Sequence, residues 1–277
     1  MTETRTVLIT GATDGLGRAL AHRVAAGGDT VIVHGRDPYK LDLTAESISE
    51  ATGGVRPLAL IADLSDLDQV RRLADDVRTT TDRLDVLVNN AGIGVGEPEG
   101  RTRRVSADGH ELRFAVNYLA PFLLTLELLP LLRSSAPARI VNVASIRQEP
   151  LDFDDLMLEH GYSGVRAYEQ SKLAEVMFGF ELASRVPATD VTVNSLHPAT
   201  YMPTKIVLKE VGNSIDSLEA GVAATLRLVS DPELAATTGM FFDRTREAKA
   251  NGQAYDQSAR LELWRRSLEL VDRPDIG

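Results

Sequence analysis

Seven short apolar runs recur along the chain, each followed by a turn and then a stretch with helical periodicity. They are "TVLIT" (6–10), "TVIVH" (30–34), "RPLALIA" (56–62), "LDVLVN" (84–89), "ARIVNVA" (138–144), "DVTVNSL" (190–196) and "GMFF" (239–242). Near-continuous apolar runs rich in β-branched residues fit strands covered on both faces, as in a parallel sheet. Between them lie helix-like segments such as "GRALAHRVAAGG" and "DLDQVRRLADDVRTT". The first of these ends in Gly27-Gly28, a fitting helix stop. Strand–helix alternation of this kind predicts an α/β fold with a seven-stranded, doubly wound parallel sheet flanked by helices. No linker, low-complexity tract or shift of composition interrupts it, so residues 1–277 read as a single domain. The stretch 243–277 reads as a polar helical tail around "ARLELWRRSLELV".

Composition narrows the function. With a net charge of −10 and no long basic run, the chain fits neither a nucleic-acid nor an anionic-membrane partner. Cysteine is absent, which excludes disulfides, thiol nucleophiles and zinc–thiolate sites, and no metal site is expected. "MTETRTVLIT" leads directly into a strand without the features of a signal peptide, so a cytoplasmic location is expected. The leucine-rich segment 114–132, "FAVNYLAPFLLTLELLPLL", is nearly long enough to span a bilayer. Asn117, Pro121, Glu127 and Pro130 interrupt it, and a buried core helix fits it better.

In an open parallel sheet, ligands bind beyond the carboxyl ends of the strands. After the first strand, "TGATDGLG" places Gly11, Gly15 and Gly17 before a helix, where a tight turn and a helix N-terminus suit a phosphate. "HGRD" follows the second strand. A carboxylate there would take ribose hydroxyls, whereas Arg36 suits a 2′-phosphate; Asp37 and Pro38 complete the turn. Asp63 follows the third strand and would either meet an adenine amine or cap the next helix. "NNAG" (89–92) follows the fourth, Ser145 the fifth, and "HPAT", with Pro198 as a wall for a flat ring, the sixth. Asn117 lies inside the apolar helix, where its amide needs partners.

"AYEQSKLAE" (167–175) sets Tyr168 and Lys172 four residues apart, on one face of a helix. A nearby ammonium favours phenolate over phenol, and a tyrosine tuned in this way can exchange a proton with a substrate oxygen. Taken alone, the pair reads better as a half-exposed tyrosine lying on a lysine stem.

"TGATDGLG", "NNAG", Asn117, Ser145 and "YEQSK" together, in this order and spacing, resemble the short-chain dehydrogenase/reductase family over nearly the whole chain. The spacing of Ser145 from Tyr168, the segment "LDFDDL" and the tail with "GMFF" and Trp264 resemble its retinol dehydrogenase-like branch. The resemblance implies a Rossmann-type fold and an NADP(H)-dependent oxidoreductase that interconverts a carbonyl and an alcohol. It implies Tyr168 as the general acid/base, Lys172 as its tuner and ribose ligand, and Ser145 as the group orienting the carbonyl. Asn117 would position a water in a relay to Lys172. Gly11, Thr13, Gly15, Leu16 and Gly17 would surround the pyrophosphate, and Arg36 the 2′-phosphate. Asp63 and Leu64 would flank the adenine, Asn90, Ala91 and Gly92 the ribose, and Pro198 to Thr200 the nicotinamide.

Two departures stand out. Pro198-Ala199 replaces the family's usual Pro-Gly, so Ala199 needs an ordinary φ or must accept strain. "TYMPT" is one residue longer than usual, which leaves the role of Thr204 open. The segment 200–218 reads as a lid whose Met202, Ile206, Val207 and Leu208 would either face an apolar substrate or pack on the core. The expected partner is a small carbonyl or alcohol, with homo-oligomerisation possible. A lyase or isomerase on the same scaffold and a non-catalytic NADP sensor are the competing readings.

Overall fold

A computed structural model describes residues 4–96, 100 and 102–276. Its elements run β1 (Thr6–Ile9), α1 (Gly15–Ala26), β2 (Thr30–Gly35), α2 (Pro38–Thr52), β3 (Leu58–Ile61), α3 (Leu67–Thr80) and β4 (Val86–Asn89). Next come α4 (Leu112–Phe114), a π-helical turn (Ala115–Leu119), α5 (Ala120–Ser134), β5 (Ala138–Val143), α6 (Gly164–Arg185) and β6 (Val191–His197). The chain finishes with α7 (Lys205–Glu210), α8 (Leu218–Ser230), β7 (Met240–Asp243), β8 (Arg246–Ala248) and α9 (Gln257–Leu270).

The strands form one sheet in the order β3-β2-β1-β4-β5-β6-β7-β8. Seven are parallel, as the apolar runs predict, and β8 pairs antiparallel with β7, so the expected count of seven is one short. "REA" carries no apolar or β-branched pattern, and its strand conformation comes from a tight turn at Arg244, whose φ is 55°, that folds it back on β7. The tail at 243–277 thus begins as a hairpin before turning helical.

Side chains alternate across the strands. Val7 and Ile9 enter one core with α1, α2 and α8, while Leu8 enters another with α3, α5, α6 and α9. The helical stretch Leu112–Ser134 is long and apolar enough to cross a membrane, and most of it is buried inside the protein. Phe122 on α5 stacks edge-on with Phe178 at 5.1 Å and Trp264 at 5.3 Å, which binds α9 to the core.

The order of strands reverses between β1 and β4, and this is where a crevice opens at the carboxyl ends. Asp14, Asp37 and Asp66 cap α1, α2 and α3 at that end of the sheet. Asp66, not Asp63, is therefore the cap of the third helix.

Candidate active site

The loop after β1 is built to bring backbone close to a ligand. Gly15 has φ +50°, and a Cβ on Gly17 would collide with the Gly11 carbonyl and the Asn90 amide. Leu16 and Gly17 are buried at the first turn of α1. The first backbone bond of that helix runs from Arg18 N to Asp14 O, and among the described residues no acceptor meets the N–H groups of Leu16 and Gly17. Unpaired donors at a helix N-terminus behind a glycine turn fit a dinucleotide's pyrophosphate.

Four neighbours, Asn90, Ala91, Gly35 and His34, hold this loop. Asn90 Nδ2 donates to Thr10 O at 2.8 Å, and Thr10 Oγ1 accepts from the N–H groups of Asn90 and Ala91, both at 3.0 Å. Gly11 packs on Ala91, and Thr13 packs its methyl on Gly35. The Asn90 amide therefore braces the loop instead of standing free for a ribose. His34, buried at the end of β2, accepts from Gly11 N at 3.2 Å through Nδ1, and its Nε2 lies 3.1 Å from Ala62 O. That geometry sets a neutral ring with Nε2 protonated, and burial lowers its pKa to about 4.

Arg36 is exposed past the end of β2, and no other described residue bonds to its side chain. The Asp37 carboxylate is engaged by the N–H groups of Tyr39 at 3.1 Å and Lys40 at 3.3 Å. Asp63 Oδ1 accepts from the Ser65 N–H and hydroxyl at 2.9 and 2.8 Å, and Leu64 is buried beside it.

Asn117, Ser145, Tyr168 and Lys172 are linked through α6, the end of β5 and the π turn. Lys172 Nζ donates to Val143 O at 2.8 Å, which ties it to the strand end that carries Ser145. Ser145 Oγ accepts from Arg147 N at 3.1 Å, and Arg147 pairs with Glu169, holding this loop beside Tyr168. Asn117 sits on the π turn, fully buried. It accepts from Ile93 N at 2.8 Å and donates to Ile93 O at 3.1 Å and Ser171 Oγ at 3.0 Å. Ser171 in turn donates to the Tyr168 carbonyl at 2.7 Å. Gly92 lies between Asn117 and Lys172, since a Cβ there would stand 3.3 Å from Asn117 Oδ1 and 3.7 Å from Lys172 Nζ. Local π turns recur at functional sites, where the widened turn re-aims backbone groups.

Sequence comparison shows the family. The short chain dehydrogenase profile matches residues 5–211. The chain belongs to the short-chain dehydrogenase family. Retinol dehydrogenase 14 of Homo sapiens is 36% identical over 287 residues, covering 94% of this chain and 84% of that protein. Polyprenol dehydrogenase of Mus musculus is 34% identical over 285 residues, covering 96% and 84%. A short chain dehydrogenase from Shigella flexneri, complexed with NADP, has a TM-score of 0.70 at 28% identity and covers 87% of this chain and 97% of its own. One from Escherichia coli CFT073, complexed with NADPH, gives the same four values of 0.70, 28%, 87% and 97%. The protein is thus an oxidoreductase of the retinol dehydrogenase-like kind within this family, with its Rossmann-type fold.

The family's turn after β6 is altered here. Ala199 is buried with an ordinary φ, and the left-handed residue of this turn is Tyr201, with φ 47°. Pro198 is buried at the strand end. The Thr200 hydroxyl accepts from Arg244 Nη2 at 3.1 Å, and its N–H donates to Asp216 Oδ2 at 2.7 Å. Despite the extra residue, Thr204 reaches the glycine loop, with its methyl 3.0 Å from where a Gly15 Cβ would stand. The lid's apolar residues divide: Met202 is buried against Gly221, Ile206 rests near Gly94, and Leu208 and Ile215 are 50% and 65% exposed.

Two features here go beyond the sequence reading. Glu175 is buried and accepts from Lys172 Nζ at 2.9 Å. Glu210 at the end of α7 accepts from Gly96 N at 2.7 Å and Val95 N at 3.1 Å, fastening the lid over the crevice. A lysine–glutamate spacing of three within "KLAE" is visible in the sequence, but it reads as an ordinary surface pair.

Proposed function

We propose that the protein is an NADP(H)-dependent oxidoreductase interconverting a carbonyl and an alcohol, and that its substrate is an apolar alcohol of the retinol or polyprenol type. The observation that carries this is the buried Lys172 ammonium, held between the strand end of Ser145 and the helix face of Tyr168. A bound nicotinamide cofactor supplies or accepts the hydride. Hydride transfer to a carbonyl leaves charge on oxygen, which calls for a proton and a hydrogen-bond donor together. Tyr168 gives the proton and the Ser145 hydroxyl orients the oxygen. Both ends of the Asn117 amide are engaged by protein, so any relay from this residue to Lys172 runs through its main chain.

Two observations support NADP over NAD. Arg36 is free at the strand end, and Asp37, its competitor for the ribose, already caps α2. A charge-assisted contact with a 2′-phosphate is worth roughly 1.5 to 3 kcal/mol, about a 10- to 150-fold preference. The names of the relatives and the apolar lid support an apolar substrate. The presence of all four residues argues against a lyase or isomerase, and more strongly against a non-catalytic sensor, which could lose Tyr168 or Lys172 without penalty.

The test is kcat/KM with NADPH and NADH, and with the oxidised cofactors, across retinol, polyprenol and a set of simple ketones and alcohols. The wild type should favour NADP+ over NAD+ with the apolar alcohols and NADPH over NADH with the ketones, and Arg36→Ala should lose most of the cofactor preference by weakening the phosphorylated cofactors alone. No turnover with any pair would remove the oxidoreductase reading. An unchanged preference in the variant would remove Arg36 from the site.

A further inference from the structure

Lys172 is a buried cation, and a single buried carboxylate faces it. Its Nζ has two protein partners, Val143 O at 2.8 Å and Glu175 Oε2 at 2.9 Å, and the two side chains are 7% and 2% exposed. Both lie on α6 one turn apart, and Tyr168 lies one turn before Lys172 on the same helix. An isolated ammonium at this depth would shed its proton, because burial disfavours the charged form.

Resting on the function proposed above, we propose that Glu175 is a positioning residue for the reaction. Its carboxylate keeps Lys172 protonated and aimed along the α6 face toward Tyr168, so the tuner of the proton donor is a pair of residues and not Lys172 alone.

The surroundings leave this role to Glu175. The charged groups acting on Lys172 are Glu175 and Tyr168, and the one acting on Glu175 is Lys172. Burial alone would lower the lysine, yet Glu175 and Tyr168 hold it above its ordinary value. Burial pushes the Glu175 carboxyl up and the Lys172 ammonium pulls it back down, so each charge of the pair is held by the other.

Among the described residues, the elements packed on α6 bring no substitute. Under Gly179, one turn beyond Glu175, β5 and β6 present the uncharged Asn142 and Ser195. The π turn presents Asn117, and α5 the apolar Phe122. Glu111 and Arg113, on and beside α4, bond each other and Tyr162. Arg260 of α9 bonds Glu181, and Tyr255, in the turn before α9, packs on Phe180.

The deciding experiment needs no substrate. The phenolate absorbance contributed by Tyr168 is obtained as the difference between a protein and its Tyr168→Phe counterpart, both with NADP+ bound, over a pH series. In Glu175→Gln, which keeps the shape and a hydrogen bond but not the charge, Lys172 loses its proton more readily and Tyr168 should ionise about one pH unit higher. NADPH affinity, read by its fluorescence, should stay within about threefold, because Lys172 and the loop around it keep their places. Glu175→Met, apolar and of similar size, is a second route to the same upward shift and keeps the test open if the glutamine variant does not fold.

A Tyr168 titration that is unmoved, or moved to lower pH, in either folded variant would overturn the inference, since the carboxylate would then be structural or opposing the ammonium. The two readings fail separately. Full activity in Tyr168→Phe removes the proposed mechanism, whereas an inactive Tyr168→Phe with an unmoved titration in Glu175→Gln removes only the role of Glu175.

Discussion

At the scale of single residues, the chemistry rests on where a proton can be held. Tyr168 stands half-buried at the crevice, while Lys172 behind it is buried and fixed by two acceptors. A fixed ammonium loses little freedom when it acts, which is why its bonds to Val143 and Glu175 matter as much as its charge. Tyr168→Phe keeps the ring and removes only the hydroxyl. Turnover should fall by at least about 100-fold while NADPH binding persists, the low end for loss of a general acid. Steady-state kinetics beside fluorescence binding checks this, and activity within about tenfold of wild type would contradict the assignment. The tyrosine and lysine were legible beforehand because their spacing lies within one helix. Glu175 has the same kind of spacing, yet its importance comes from burial, which spacing does not encode.

At the scale of elements, α7 and its flanking loop close over the crevice as a strap held at both ends. Its base is pinned by Ile215 N to Tyr201 O at 2.9 Å, Asp216 N to Thr200 O at 3.0 Å, and the Arg244–Asp216 ion pair at 2.6 Å. Its tip is held by the Glu210 carboxylate on the Val95 and Gly96 N–H groups. That contact is partly exposed, so it is worth about 1 kcal/mol rather than the value of a buried charge-assisted bond. Glu210→Ala should therefore speed limited proteolysis within 201–215 by about fivefold in protein without ligand, with the rest of the chain cut at its former rate. Equal cleavage rates would show that the strap is held by its base alone. The lid was legible as a segment, but its fastening was not, because the acceptor and the two donors are more than a hundred residues apart.

At the scale of the whole molecule, the sheet joins the glycine loop to the next strands through a buried imidazole. His34 is neutral in the fold, with a pKa of about 4 against 6.5 for a free ring. Its contribution to stability is fully present above pH 6.5 and is lost as pH falls through 4, because the unfolded chain takes up the proton first. The difference corresponds to about 3 kcal/mol. Denaturant midpoints measured in steps between pH 7 and 4 should fall, and His34→Gln should be less stable at pH 7 but flatter across this range. His197, also lowered by burial, should leave a residual slope. A variant with the wild-type slope would show that His34 does not contribute to acid unfolding.

The sequence by itself determined the order of elements, the parallel core, the glycine loop and the Tyr168–Lys172 helix face. All of these are written in short periodicities and local spacings, such as the apolar runs of β1 to β7 and the four-residue step in α6. Only the tertiary structure decided which polar groups serve the site and which serve the fold. It made Asn90 and His34 struts of the glycine loop, turned Asp37 into a helix cap, folded Arg246–Ala248 into an eighth strand and buried Glu175 against Lys172. The reason is physical. A polar side chain's role is set by what surrounds it once water is gone, and those neighbours come from distant parts of the chain.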